Sequence, residues 1–195
     1  MITISESVNF VTCDFMERKT KKSLIKQLGL VIKKYNSRGF VISDVFADNE
    51  FDMEDLKNKI LPSTLQLCAA GEHVSKVERV IRTVKDRCRT ICHSLPYSSF
   101  PKLMSKGLVA HSVNWINTFT ASGGVVGPYS PSYLLEGKQN PDLNKRRITF
   151  GSYAIVYSIT DNTQTKRSIP CIVPEHKIGR DDGKRQQKQR YPYQC

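Results

Sequence analysis

Carboxylates are scarce in this sequence. Eighteen Asp and Glu face thirty Lys and Arg in 195 residues, which leaves a formal net charge of +12. That imbalance points to a polyanionic partner, nucleic acid or an anionic membrane face. Long apolar runs are missing too. Met1–Glu6 has no basic stretch and no apolar core, so it does not read as a signal peptide. Residues 107–135 carry no Asp, Glu, Lys or Arg, but Ser, Asn, Thr, His, Gly and Pro interrupt them throughout, which excludes a transmembrane helix. The six cysteines (13, 68, 88, 92, 171 and 195) form no CxxC pair, and a disulfide scaffold is not expected at this length. Reduced thiols in an intracellular protein, cytoplasmic or nuclear, are the expectation. No internal repeat is present.

What remains is a composition of 39% hydrophobic and 25% charged residues, that of a soluble globular chain. Its length suits about one domain, able to bury roughly two-thirds of its surface. Ile2–Ile4 and Val8–Val11 read as two arms of a β-hairpin. From Lys19 to Tyr35 the apolar period becomes helical, at Leu24, Ile25, Leu28, Val31, Ile32 and Tyr35, with lysines on the other face and Gly39 as the terminator. Phe40–Ala47 is nearly continuous in apolar character and suits a central strand covered on both faces. An acidic segment, 48–55, opens a short helix that Pro62 stops.

Residues 64–69 suit another strand. Val74, Val77, Ile81, Val84, Cys88 and Ile91 then form one apolar stripe of a long helix, with Arg79, Arg82, Lys85 and Arg89 off it. A second long helix is predicted over 101–119. Strand-like segments follow at 153–157 and 169–173, with a turn around Asp161-Asn162. Six Lys and Arg with almost no aliphatics mark 177–195 as a disordered basic tail. The order β, β, α, β, α, β, α through residue 93 is that of an α/β fold, a ribonuclease-H-like mixed sheet flanked by helices with its first strand missing. A small flavodoxin-like sheet is the alternative. The expected division is a core over 1–140, a strand-rich appendage with a β-hairpin over 141–176, and the tail.

Several phrases resemble one family in order. Gly71-Glu72-His73-Val74 with Val77-Glu78-Arg79 and Ile81–Arg87, Leu95-Pro96-Tyr97 with Phe100–Met104, Trp115–Phe119 before Gly123-Gly124, Ser130-Pro131, and Phe150-Gly151-Ser152-Tyr153 resemble the integrase domain of copia-type retrotransposon polyproteins. The resemblance covers roughly 1–160 and fades past Ile169. It implies a DNA strand-transfer enzyme in which three carboxylates hold two divalent cations, Mg²⁺ or Mn²⁺. Two hard cations about 3.5–4 Å apart clamp the attacking and leaving oxygens of a phosphodiester.

By the resemblance, the second carboxylate is Asp48, in an Asp48-Asn49-Glu50 turn, and the third is Glu78. Twenty-nine residues separate them, somewhat few for retroviral integrases. The first belongs on a strand ahead of the hairpin, where this sequence has no counterpart, since Glu6 and Asp14 do not match it. A chain defective in strand transfer is therefore expected. Without the resemblance, Asp48 reads as a turn-forming Asx residue, Glu78 as a helical partner of Arg82, and Glu50 competes for the site. Arg79, Arg82, Lys85 and Arg89 would track DNA phosphates or form a solvated face. His73, Cys88, Cys92 and His93 fit no closed zinc site. Two further readings stay open: a non-catalytic basic nucleic-acid-binding protein, with or without self-association, and a module that takes a protein partner on an open sheet edge.

Overall fold

The computed structural model describes residues 1–68, 75–119, 128–137, 149–157 and 168–173. Strands β1 (Ile2–Ile4) and β2 (Val11–Cys13) pair antiparallel, Ile2 opposite Cys13 and Ile4 opposite Val11. Helix α1 (Lys21–Asn36) follows. Thr20 and Ser23 close its first turn with a reciprocal capping box, and Gly39, at φ 81°, takes the left-handed conformation just past its end. Strand β3 (Asp44–Ala47) pairs in parallel with β4 (Thr64–Leu67) across a 3-10 turn at Asn49–Phe51 and helix α2 (Glu54–Ile60). Helices α3 (Ser75–Ser94), α4 (Lys102–Thr118) and α5 (Pro131–Glu136) come next, then the antiparallel pair β5 (Tyr153–Tyr157) and β6 (Ser168–Ile172). The expected C-terminal hairpin is present. Its turn, most of the β4–α3 connection and the basic tail at 177–195 lie outside the described residues.

The strands expected in one sheet form separate two-stranded sheets, β1–β2 and β3–β4, with β5–β6 as a third. No described segment supplies a strand between the first two. The strand predicted over 40–47 also contracts to its last four residues. Phe40 and Ile42 pack sideways against the cluster of Val8, Phe10, Val31, Tyr35 and Leu135, whereas Val41 between them is 85% exposed. An apolar run thus serves as a packed connector instead of a ladder. Nor is β3 covered on both faces, since Asp44 and Phe46 are exposed and only Ala47 is buried.

Side chains alternate across a strand, and the hairpin is covered accordingly. Phe10 meets α1 at Val31 and Tyr35. Val11, with Ile2, Ile4 and Cys13, meets Val80, Val84 and Cys88 of α3 and Val113 of α4. Of the expected α3 stripe, Val84 is buried and Cys88 and Ile91 are half-buried in the core clusters, joined there by Val80 and Cys92; Val77 and Ile81 are half-buried as well. α1 joins two clusters, since Leu24 and Leu28 pack with Met53, Leu56 and Ile60 of the β3–α2 unit.

Tyr35 is 5% exposed and its hydroxyl donates to the Phe10 carbonyl at 3.3 Å. Burial pushes its pKa up to about 12, a hydrogen bond with Ser5 opposing. The neutral phenol is thus favoured in the folded state. The contribution is complete below the ordinary tyrosine value near 10 and is lost as pH climbs from about 10 to 12. Urea unfolding is expected to show stability falling across that window by up to about 2–3 kcal/mol. Tyr35→Phe should flatten this slope while losing about 1 kcal/mol at neutral pH.

Candidate nucleic-acid interface

Asp48 directly follows β3 and caps the 3-10 turn, its Oδ1 accepting from the Asn49 N–H at 2.7 Å. The bond reaches only the next residue, one short of the Asx turn expected there, and the carboxylate is exposed. Glu78 lies exposed in the first turn of α3. Glu50, the competitor of Asp48, forms an exposed ion pair with Lys19 at 2.5 Å. Among the described residues no group of three or more His, Cys, Asp or Glu could hold a metal ion. The donor set thus does not fit the two-cation centre, which needs several converging oxygen ligands.

The basic row is placed by its own helix. Val80, Val84 and Cys88 fix one face of α3 against the hairpin. At 3.6 residues per turn, Arg79, Arg82 and Arg89 then fall on the far side and Lys85 on its flank, and all four are exposed. Arg89 is paired with Asp86 at 2.8 Å. Arg79, Arg82 and Lys85 make no ion pair among the described residues.

A cleft of about 380 Å³ opens elsewhere, along the outer edge of β2 between α1, α4 and α5. Asn117 of α4 closes one end of that edge. Its Oδ1 accepts from the Val11 N–H at 2.8 Å, and its Nδ2 donates to the Val11 carbonyl at 2.7 Å. One side-chain amide thus does what a third strand would do. Nothing in the local sequence marks this role, because the bonds span 106 residues. In the same cleft, burial pushes the Cys13 thiol up; the N-terminal ammonium opposes, and Asp14 and Cys88 add to the rise. Neither Asp48 nor Glu78 lines this cleft. No described helix is long and apolar enough to cross a membrane.

No protein-family model matches the chain, and no curated protein does. Solved structures do. The chain is similar to the catalytic core domain of BIV integrase, with a TM-score of 0.50 and 15% identity over 70% of this chain and 84% of that one. It is also similar to a chain of the simian T-cell lymphotropic virus intasome in complex with PP2A regulatory subunit B56 gamma, with a TM-score of 0.51 and 14% identity. That match spans 88% of this chain and 60% of the other. At such identities the shared property is the fold, a ribonuclease-H-like α/β core.

Proposed function

We propose that this chain is a DNA-binding protein built on an integrase core of copia-type retroelement origin, and that it binds duplex phosphates through the outer face of α3. The observation that carries the reading is the α3 face itself. Three cations that make no ion pair among the described residues lie on a helix whose other side is anchored in the core, so the helix that carries them is fixed before any partner arrives. The fold likeness to integrase cores supports the origin, and the ordered phrases of sequence support the copia type.

Asp48 and Glu78 belong to this reading as remnants of ligand positions for Mg²⁺ or Mn²⁺. No strand-transfer step is assigned to them, because among the described residues no group of three or more ligands forms the centre that phosphodiester chemistry requires. The domain division at about residue 140, with a basic tail from 177 that adds non-specific affinity, is part of the same proposal.

The test is a salt titration of duplex binding. Each neutralised phosphate contributes about −0.9 to the slope of log K against log salt. The combined Arg79→Gln, Arg82→Gln and Lys85→Gln variant is expected to shallow the slope by up to about 2.7. Its affinity should fall at least tenfold near 0.1 M salt, with unchanged circular dichroism. A slope identical to wild type would remove α3 from the interface. Metal-dependent joining of DNA ends by the wild-type chain, lost in Asp48→Asn, would overturn the non-catalytic part.

A further inference from the structure

A second basic row lies on α1. The helix carries Lys21, Lys22, Lys26, Lys33 and Lys34 and no carboxylate at all. Lys34 is engaged: it pairs with Glu136 at 2.8 Å and sits 4.3 Å from the centre of the Phe10 ring. Lys22, Lys26 and Lys33 are exposed and make no ion pair among the described residues. At 3.6 residues per turn these three project within about 40° of one another, nearly opposite the buried Leu24, Leu28, Val31 and Tyr35. They span roughly 16 Å along the axis.

The arrangement works against the helix that bears it. Lys21 and Lys22 sit in the first turn, where the macrodipole is positive and cations are disfavoured. Lys22 and Lys26 are like charges one turn apart, which also destabilises a helix. Among the described residues no carboxylate pairs with Lys21, Lys22 or Lys26. A row of cations that strains its own helix and stays unpaired is complementary to a partner with regularly spaced negative charge.

This row cannot serve the same stretch of duplex as α3. α1 packs against Phe10, next to β2, and α3 against the Val11 face of the β1–β2 pair, so the two outer surfaces lie on different sides of the hairpin. With a helix diameter of about 10–12 Å on either side of the strands, the rows stand on the order of 30 Å apart.

We propose that the outer face of α1, through Lys22, Lys26 and Lys33, is a second duplex-DNA-binding surface, so that one chain bridges two duplexes. The inference rests on the DNA-binding reading above. The experiment uses the full chain and two short duplexes, one carrying a donor dye and the other an acceptor, at low salt. Wild type is expected to bring donor and acceptor together. The combined Lys22→Gln, Lys26→Gln and Lys33→Gln variant should still bind a single duplex with its α3-dependent salt slope, but lose bridging at least tenfold. Its melting temperature should be equal to or above wild type, because the repulsion is relieved. Bridging by this variant equal to wild type would mean that the α1 lysines are only solvated, and would overturn the proposal while leaving the α3 reading intact. Single-duplex binding without bridging by wild type would overturn it as well. Absence of any duplex binding by wild type would defeat both readings together.

Discussion

Replacing Asn117 with alanine is expected to destabilise the chain by roughly 2–5 kcal/mol, since each buried polar group left without a partner costs about 1–3. Two such groups depend on this one amide, the N–H and the C=O of Val11. Val11 is 1% exposed and Asn117 4%, so bulk water does not replace the bonds freely. The adjoining cleft admits some solvent, which sets the lower end of the range. The loss is large against the 5–15 kcal/mol that typically holds a domain together. Urea unfolding midpoints measure it, and a shift near zero would show that the β2 edge is satisfied some other way.

Asn117→Asp sharpens the test because it separates donor from acceptor. The carboxylate can still accept from the Val11 N–H, but it faces the Val11 carbonyl with negative charge and no proton to give. Near neutral pH this variant should be no more stable than the alanine one. Protonation restores an O–H donor, so its stability relative to wild type should recover as pH falls through the carboxyl range. Alanine has no proton to gain and should show no such recovery.

Gly151→Ala is expected to cost about 2–4 kcal/mol, combining a left-handed backbone penalty of about 1–2 with overpacking of about 1–3. Gly151 sits at φ 81°, where an L side chain is strained. Its absent Cβ would also run into Leu95 Cδ2, stand 2.8 Å from Tyr97 Oη and reach 3.3 Å from Met104 Cε. The backbone is held there by its N–H to the Val173 carbonyl at 2.8 Å and by the Tyr97 hydroxyl donating to its own carbonyl at 3.1 Å. It cannot retreat without breaking those bonds. Thermal denaturation of Gly151→Ala with and without Leu95→Ala separates the two causes. The double variant should show a favourable coupling as the clash is relieved, with the backbone penalty remaining. Strict additivity would mean that the Leu95 contact is not what excludes a side chain.

Where order came from local periodicity, the sequence was a good guide. The run from Leu24 to Tyr35 and the stripe through Val84 and Cys88 fold as helices because a 3.6-residue period is written in adjacent residues. Phe40-Val41-Ile42 misled because a short apolar run has the same look whether it pairs in a ladder or packs as a connector. The division of the first four strands into two separate pairs is equally illegible, since joining them depends on a shared neighbour that no local pattern encodes. Asp48 was readable as the residue that leaves the strand and starts a turn, and it is. Whether Asp48 and Glu78 serve one site is a question of distance between elements, which spacing along the chain does not fix. Asn117 stood in plain view in the Trp115–Phe119 phrase, but its partner is on β2 and its helix gives no hint of it.

The placement of α1 has a consequence for how the molecule comes apart. Among the described residues no backbone hydrogen bond joins the β1–β2 pair to the β3–β4 pair. Both rest on the same helix, one through Val31 and Tyr35, the other through Leu24 and Leu28. Sub-global openings are therefore expected to divide along that line. Either strand pair can lose its packing and exchange its amide protons while the other, still docked to its own half of α1, stays protected. The slowest amides should then be in the middle of α1, from Leu28 to Val31, because exposing them requires both halves to let go at once.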